Sequence, residues 1–191
     1  MPFRRAVAAL TLLASLAVAR PTRAGEEDEP HVPGVSTWIA GRDVHVQAVL
    51  APGLPRDVSR RLLSGLPTTT LWRIRLFVFR NLWFNSLKDE RHYEVTATYR
   101  PVTGDYTVER RLDDRLLQTR IVPTQGEAAE ALREVPGLPS FTLGPHLLGK
   151  KLVVKVSCAY ATGLALGVVP TTVETDWVRS GIFEWNGSPS P

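Results

Sequence analysis

The chain of 191 residues carries 23 Lys and Arg against 19 Asp and Glu, a formal charge of +4. The excess is local: Arg4, Arg5, Arg20 and Arg23 lie in the first 24 residues, which hold no acid, and the other 19 basic residues face 19 acidic ones. A neutral body argues against nucleic-acid binding, and the single cysteine, Cys158, excludes an internal disulfide, so the fold must rest on burial.

Residues 1–24 read as a signal peptide. Arg4 and Arg5 form its positive start, Ala6 to Ala19 an apolar run of 14 residues, and Thr22-Arg23-Ala24 a small-residue cleavage signal, with cleavage between Ala24 and Gly25. The run is shorter than the roughly 20 residues a membrane span needs, so no transmembrane helix is expected in the mature chain. Cys158 is far from the cleavage point, so no lipid can be attached at the new N-terminus. Residues 25–34, acidic and proline-bearing, read as a disordered leader. A single β-rich domain is expected over 35–185 and a frayed tail over 186–191.

Val35 to Ala51 holds one or two strands, with Val44, Val46, Ala48 and Leu50 on one face. Pro55 opens a short helix in which Leu54, Val58 and Leu62 share a side. Gly65 is placed to end that helix in a left-handed conformation. The stretch Gly65 to Phe84 follows at once and organises the rest. Trp72, Ile74, Leu76 and Val78 alternate with Arg73, Arg75, Phe77 and Phe79, which predicts a long strand that bends or changes partner near Arg80-Asn81.

Asn85 to Glu90 reads as a turn. Tyr93, Val95, Ala97 and Tyr99 then alternate with polar residues as a half-buried antiparallel strand. Turns at Thr103-Gly104-Asp105 and Asp113-Asp114 make a meander with the strands Tyr106 to Leu112 and Leu116 to Val122. Thr124 and Glu127 have capping-box spacing for a second short helix, which Pro136-Gly137 is expected to end. Lys150 to Ala161 is a strand, Pro170 to Thr175 a loop, and Trp177 to Trp185 closes the domain as a last strand or turn. The fold class expected is mainly β (α+β): an antiparallel sheet or sandwich of six to seven strands with two short helices.

The chemistry is sparse. His31, His45, His92 and His146 lack metal-ligand spacing, and no Gly-x-Ser-x-Gly elbow or phosphate-binding glycine loop occurs. No catalytic residue, cofactor or metal ligand is assigned. Cys158 reads as a buried, inert thiol, and Asn186-Gly187-Ser188 as a chance sequon. The candidate binding surface is Arg73, Arg75, Phe77 and Phe79, because arginine and aromatic residues together favour interfaces and anionic-ligand grooves. The bland alternative pairs both arginines with Glu94 or Glu109 across the sheet and places both phenylalanines under a helix.

From Val44 to Trp185 the chain resembles the bacterial family called domain of unknown function 4390. The residues that carry the likeness are Ser64 to Pro67 at the helix end, the basic strand Trp72 to Trp83, and Tyr93, Tyr99 and Tyr106 of the hairpin. The short helix Glu127 to Leu132 and the late Trp177, Ser180 and Trp185 complete it. The resemblance implies an exported bacterial protein linked to envelope signalling, and no reaction. The reading is therefore an exported, periplasmic or envelope-associated, non-enzymatic binding module for an envelope protein or an anionic or apolar ligand. Its alternatives are a hydrolase-type enzyme assembled from dispersed residues such as His45, His92 and Asp105, or a membrane-anchored structural protein.

Overall fold

The computed structural model describes residues 29–81, 84–165 and 169–187. The expected signal peptide, its cleavage point at Ala24–Gly25, residues 25–28 of the leader, Leu82, Trp83 and residues 188–191 of the tail lie outside the described residues. The first described segment is engaged with the fold before residue 35: His31 exchanges both backbone hydrogen bonds with Ala51 at 2.8 Å, and Val32 is buried in the core.

Strands β1 (Val35–Ala40) and β2 (Asp43–Val49) form a hairpin, followed by helix α1 (Arg56–Leu63). Pro55 is the residue just ahead of the helix rather than its first residue. The exit is a Schellman motif: Gly65, with φ +78°, donates to Leu62, and Leu66 donates to Arg61, both at 3.2 Å. Strand β3 (Thr68–Val78) follows, ending two residues before Arg80. The chain then turns into β4 (Ser86–Arg100), β5 (Asp105–Leu112) and β6 (Arg115–Val122), the expected meander, although β4 starts inside the expected turn.

Helix α2 (Gln125–Leu132) is capped by Thr124, whose hydroxyl oxygen accepts from the Glu127 amide at 3.2 Å. The reciprocal half of the capping box differs, because the Glu127 carboxylate accepts the Thr124 hydroxyl rather than an amide. Pro136-Gly137 does not end this helix. It lies inside strand β7 (Glu134–Thr142), which pairs with β2 and has no second neighbour among the described residues. Proline survives there because β7 is an edge strand with irregular register at His45↔Pro139 and Gln47↔Pro136.

A 3-10 turn (Pro145–Leu147) leads to β8 (Lys151–Ala165), then β9 (Val169–Glu174), β10 (Val178–Arg179) and β11 (Phe183–Glu184), all paired with β8. The expected loop Pro170 to Thr175 is thus mostly a strand. Pro170 is tolerated because, among the described residues, β9 pairs on one side alone.

All pairings are antiparallel. The described residues form an eight-stranded sheet, with the path β10-β8-β3-β4-β5-β6 and β9 and β11 also on β8, and a three-stranded sheet β1-β2-β7. The fold is mainly β with two helices, as expected, and the strands among the described residues outnumber the expected six or seven, because prolines in β7 and β9 mask the strand signal and β10 and β11 hold only two residues each. The inner face of the large sheet buries Trp72, Ile74, Leu76, Tyr93, Val95, Val154 and Val156. They join one core with Val44 and Val46 of β2, Val58 and Leu62 of α1, and Ala128 and Leu132 of α2. Each large side chain removed from water in this way contributes roughly 1.5–3 kcal/mol. The helices and the small sheet thereby cover the inner face; on the outer face the residues of β3 are half-buried, and Val153, Ser157 and Ala159 of β8 beside them are buried.

Candidate binding face

Alternation along β3 sends Leu71, Arg73, Arg75 and Phe77 to the outer face, where all four are half-buried, while the even residues from Thr68 to Leu76 are buried. Antiparallel register supplies their neighbours. Arg73 lies between His92 of β4 and Ser157 of β8, and Arg75 between Glu90 and Lys155.

Arg73 pairs with Glu174 at 3.0 Å, and the other oxygen of Glu174 accepts the Ser157 hydroxyl at 2.7 Å. Arg75 Nε lies 3.1 Å from Glu90 Oε1, an ion pair off hydrogen-bond alignment. Its guanidinium carbon stands 4.3 Å from the centre of the Trp177 ring, a cation–π stack. Lys155 Nζ stands 5.3 Å from the Phe77 ring centre. Phe79 lies just beyond the strand, half-buried, its amide donating to Lys151 at 2.8 Å. The four candidate residues are therefore neighbours on one surface, with the phenylalanines at its end.

Between β3, β4 and the β5–β6 turn the surface sinks into a recess of about 430 Å³. Leu71, Arg73, Arg75, Glu90, His92, Glu94, Asp113 and Asp114 line it. Four carboxylates against two guanidinium groups make a poor seat for a free anion and a better one for a protein surface that brings basic or mixed charge. His92 Nε2 is 3.6 Å from Glu90 Oε1, and the His92 amide donates to the Asp113 carboxylate at 2.8 Å, which ties the turn to the recess.

Both arginines are charge-balanced, but by Glu174 and Glu90 rather than the expected Glu94 or Glu109. Period-two patterning places Glu90, His92 and Glu94 on one face and leaves the register open in steps of two. The structure selects the register that sets Arg75 against Glu90. Glu174, Trp177 and Lys155, the contacts that orient the arginines and Phe77, escaped the sequence reading because β8 to β10 return from far along the chain.

The dispersed residues considered for catalysis are not brought together. His45 lies on β2, stacked 5.2 Å from Trp38 and hydrogen-bonded through Nδ1 to the Gly137 carbonyl at 3.0 Å. His92 and the Arg100 partner of Asp105 are separated by eight residues along β4, roughly 26 Å. Asp105 accepts two hydrogen bonds from Arg100 at 2.6 and 2.7 Å, which hold its carboxyl below the usual carboxylate range. Cys158 is buried, and its burial, with Glu174 adding, pushes the thiol well up, so it stays protonated. Among the described residues no group of three or more His, Cys, Asp or Glu side chains is placed to hold a metal ion, and no helix is long and apolar enough to cross a membrane.

The C-terminal residues act as straps on β8. Ser180 accepts the Val154 amide at 3.1 Å through its hydroxyl, and Thr175 does the same for Cys158 at 3.0 Å. Trp185 is buried behind them. These straps hold Trp177 under Arg75.

The profile of the family described as Domain of unknown function (DUF4390) matches residues 28–164, and the chain belongs to that family. No curated protein and no solved structure matches the chain.

Proposed function

We propose, from this family membership and the recess on the outer face, that the chain is an exported, non-enzymatic binding module of the bacterial cell envelope. Its partner is a protein docked on the outer surface of β3 and β4. One observation carries the reading: Arg73 and Arg75, held by Glu174, Glu90 and the Trp177 ring, line a recess on the outer surface of β3 and β4. Arginine and aromatic groups oriented in advance lose little entropy on binding, which is what a recognition surface requires. The acidic lining selects a protein surface over a small anion.

The experiment is a double substitution, Arg73→Ala with Arg75→Ala. Both ion pairs are part-exposed, so each is expected to change stability by less than about 1 kcal/mol, with the β-rich circular dichroism spectrum unchanged. Cross-linking and capture from envelope extract, with wild type and variant side by side, should show one partner lost from the variant. Identical partner sets would remove this face from the function.

A further inference from the structure

A sheet ends in edge strands, and an edge left flat and uncharged is a template for another strand. Among the described residues, the edges of this fold are guarded everywhere but at β1. Strand β6 carries Arg115 and Arg120, β7 carries Pro136 and Pro139, β9 carries Pro170 and Glu174, and β10 and β11 hold two residues each. Strand β1, at the end of the small sheet, reads Val-Ser-Thr-Trp-Ile-Ala, with no charge, no proline and no glycine. It pairs with β2 alone among the described residues.

The turn fixes which backbone groups that edge presents. Gly41-Arg42 is a two-residue hairpin connection, closed by Ala40 against Asp43. Such a closing pair exchanges both backbone hydrogen bonds, and bonded pairs recur at every second residue, here Trp38↔His45 and Ser36↔Gln47. The amides and carbonyls of Val35, Thr37 and Ile39 therefore point to the free edge. Their side chains are half-buried, with Val35 and Ile39 packed against the core, while Ser36, Trp38 and Ala40 are exposed.

We propose that the chain forms a homodimer through β1, two copies pairing antiparallel about a two-fold axis at Thr37 and joining their small sheets. The outward amides and carbonyls meet only when odd-numbered residues face odd-numbered ones, which also keeps each side chain on its own face of the joined sheet. Centred on Thr37, that register sets Val35 opposite Ile39 of the second copy, Thr37 opposite itself, and Ile39 opposite Val35. On the other face Ser36 meets Trp38 of the second copy, a ring that is 44% exposed in the single chain. Apolar groups meet apolar groups, threonine meets threonine and no like charges are opposed, so β1 is complementary to itself. A two-fold pairing occupies both free edges at once, so assembly stops at two copies. The contact is separate from the recess on β3 and β4 and does not depend on the function proposed there.

Sedimentation velocity of the full mature chain over a concentration series is the test. A strand-edge contact is small, so the dimer should be weak, with Kd on the order of 10–100 µM and a sedimentation coefficient that rises through that range. Thr37→Pro removes an amide that points out of the hairpin, a change that edge strands accept. The circular dichroism spectrum should therefore be kept and the dimer weakened about tenfold or more. Thr37→Lys is the second variant, in case proline disturbs the hairpin. It sets two ammonium groups across the two-fold axis, where paired Cα atoms stand about 5.5 Å apart, and should also leave the chain monomeric. The variant with Arg73→Ala and Arg75→Ala should dimerise as wild type does, which separates this contact from the proposed binding face. A wild-type chain that stays monomeric throughout the series, or a dimer unchanged by Thr37→Lys, would overturn the proposal.

Discussion

Gly65 shows what one residue determines. Its φ of +78° lies where a Cβ is strained, and both hydrogen bonds of the Schellman exit depend on that conformation. An added Cβ would meet Tyr99 at 3.4 Å, tolerable contact, so the penalty is conformational rather than steric. Gly65→Ala is expected to lose on the order of 1 kcal/mol in urea melts, and an unchanged midpoint would show that the backbone there adapts freely. Gly137 combines both constraints: its φ is +72°, and the Trp38 ring occupies the space a Cβ would take, at 2.5 Å. The bare backbone at Gly137 leaves room for the Trp38 ring, which stacks on His45.

At the scale of elements, β8 is the hub of the large sheet, because β3 pairs with one edge and β9, β10 and β11 share the other. Short strands of two residues, such as β10 and β11, contribute few ladder bonds, so side chains must complete the pairing. Ser180 does so by accepting the buried Val154 amide while donating to the Gly181 carbonyl at 2.7 Å. Ser180→Ala leaves that amide without an acceptor and should destabilise the protein by about 1–3 kcal/mol in thermal or denaturant unfolding. The same change should loosen Trp177 against Arg75, and tryptophan fluorescence at sub-denaturing urea checks that coupling. The opposite end of the sheet is managed differently. Strand β6 is exposed except at Val122 and shows Leu116, Leu117 and Ile121 to solvent. Arg115 and Arg120 on that strand supply the charge that discourages edge-to-edge association.

For the whole molecule, the inner face of the large sheet holds the core, and the outer face of β3 and β4 carries the proposed binding site. Export is the prediction that belongs to this scale. The apolar run Ala6 to Ala19 and the signal at Thr22-Arg23-Ala24 lead us to propose a mature N-terminus at Gly25. N-terminal sequencing of the protein from an envelope fraction should begin at Gly25, and a chain intact from Met1 in the membrane would replace export with anchoring.

The sequence by itself determined the local features. Alternation in β3 to β5, the left-handed glycine after α1, the Thr124 cap and the buried Cys158 are each specified within a few neighbouring residues, where backbone geometry and side-chain type leave few choices. The arginine and aromatic candidates were legible for the same reason, since alternation alone sends them to one face. Only the tertiary structure decided which carboxylates hold Arg73 and Arg75, because strands with period two fit several registers equally well and Glu174 comes from about a hundred residues away. The proline-bearing strands β7 and β9 also depend on context, since proline is excluded from a sheet interior but accepted at an edge, and edge position is a property of the assembled sheet.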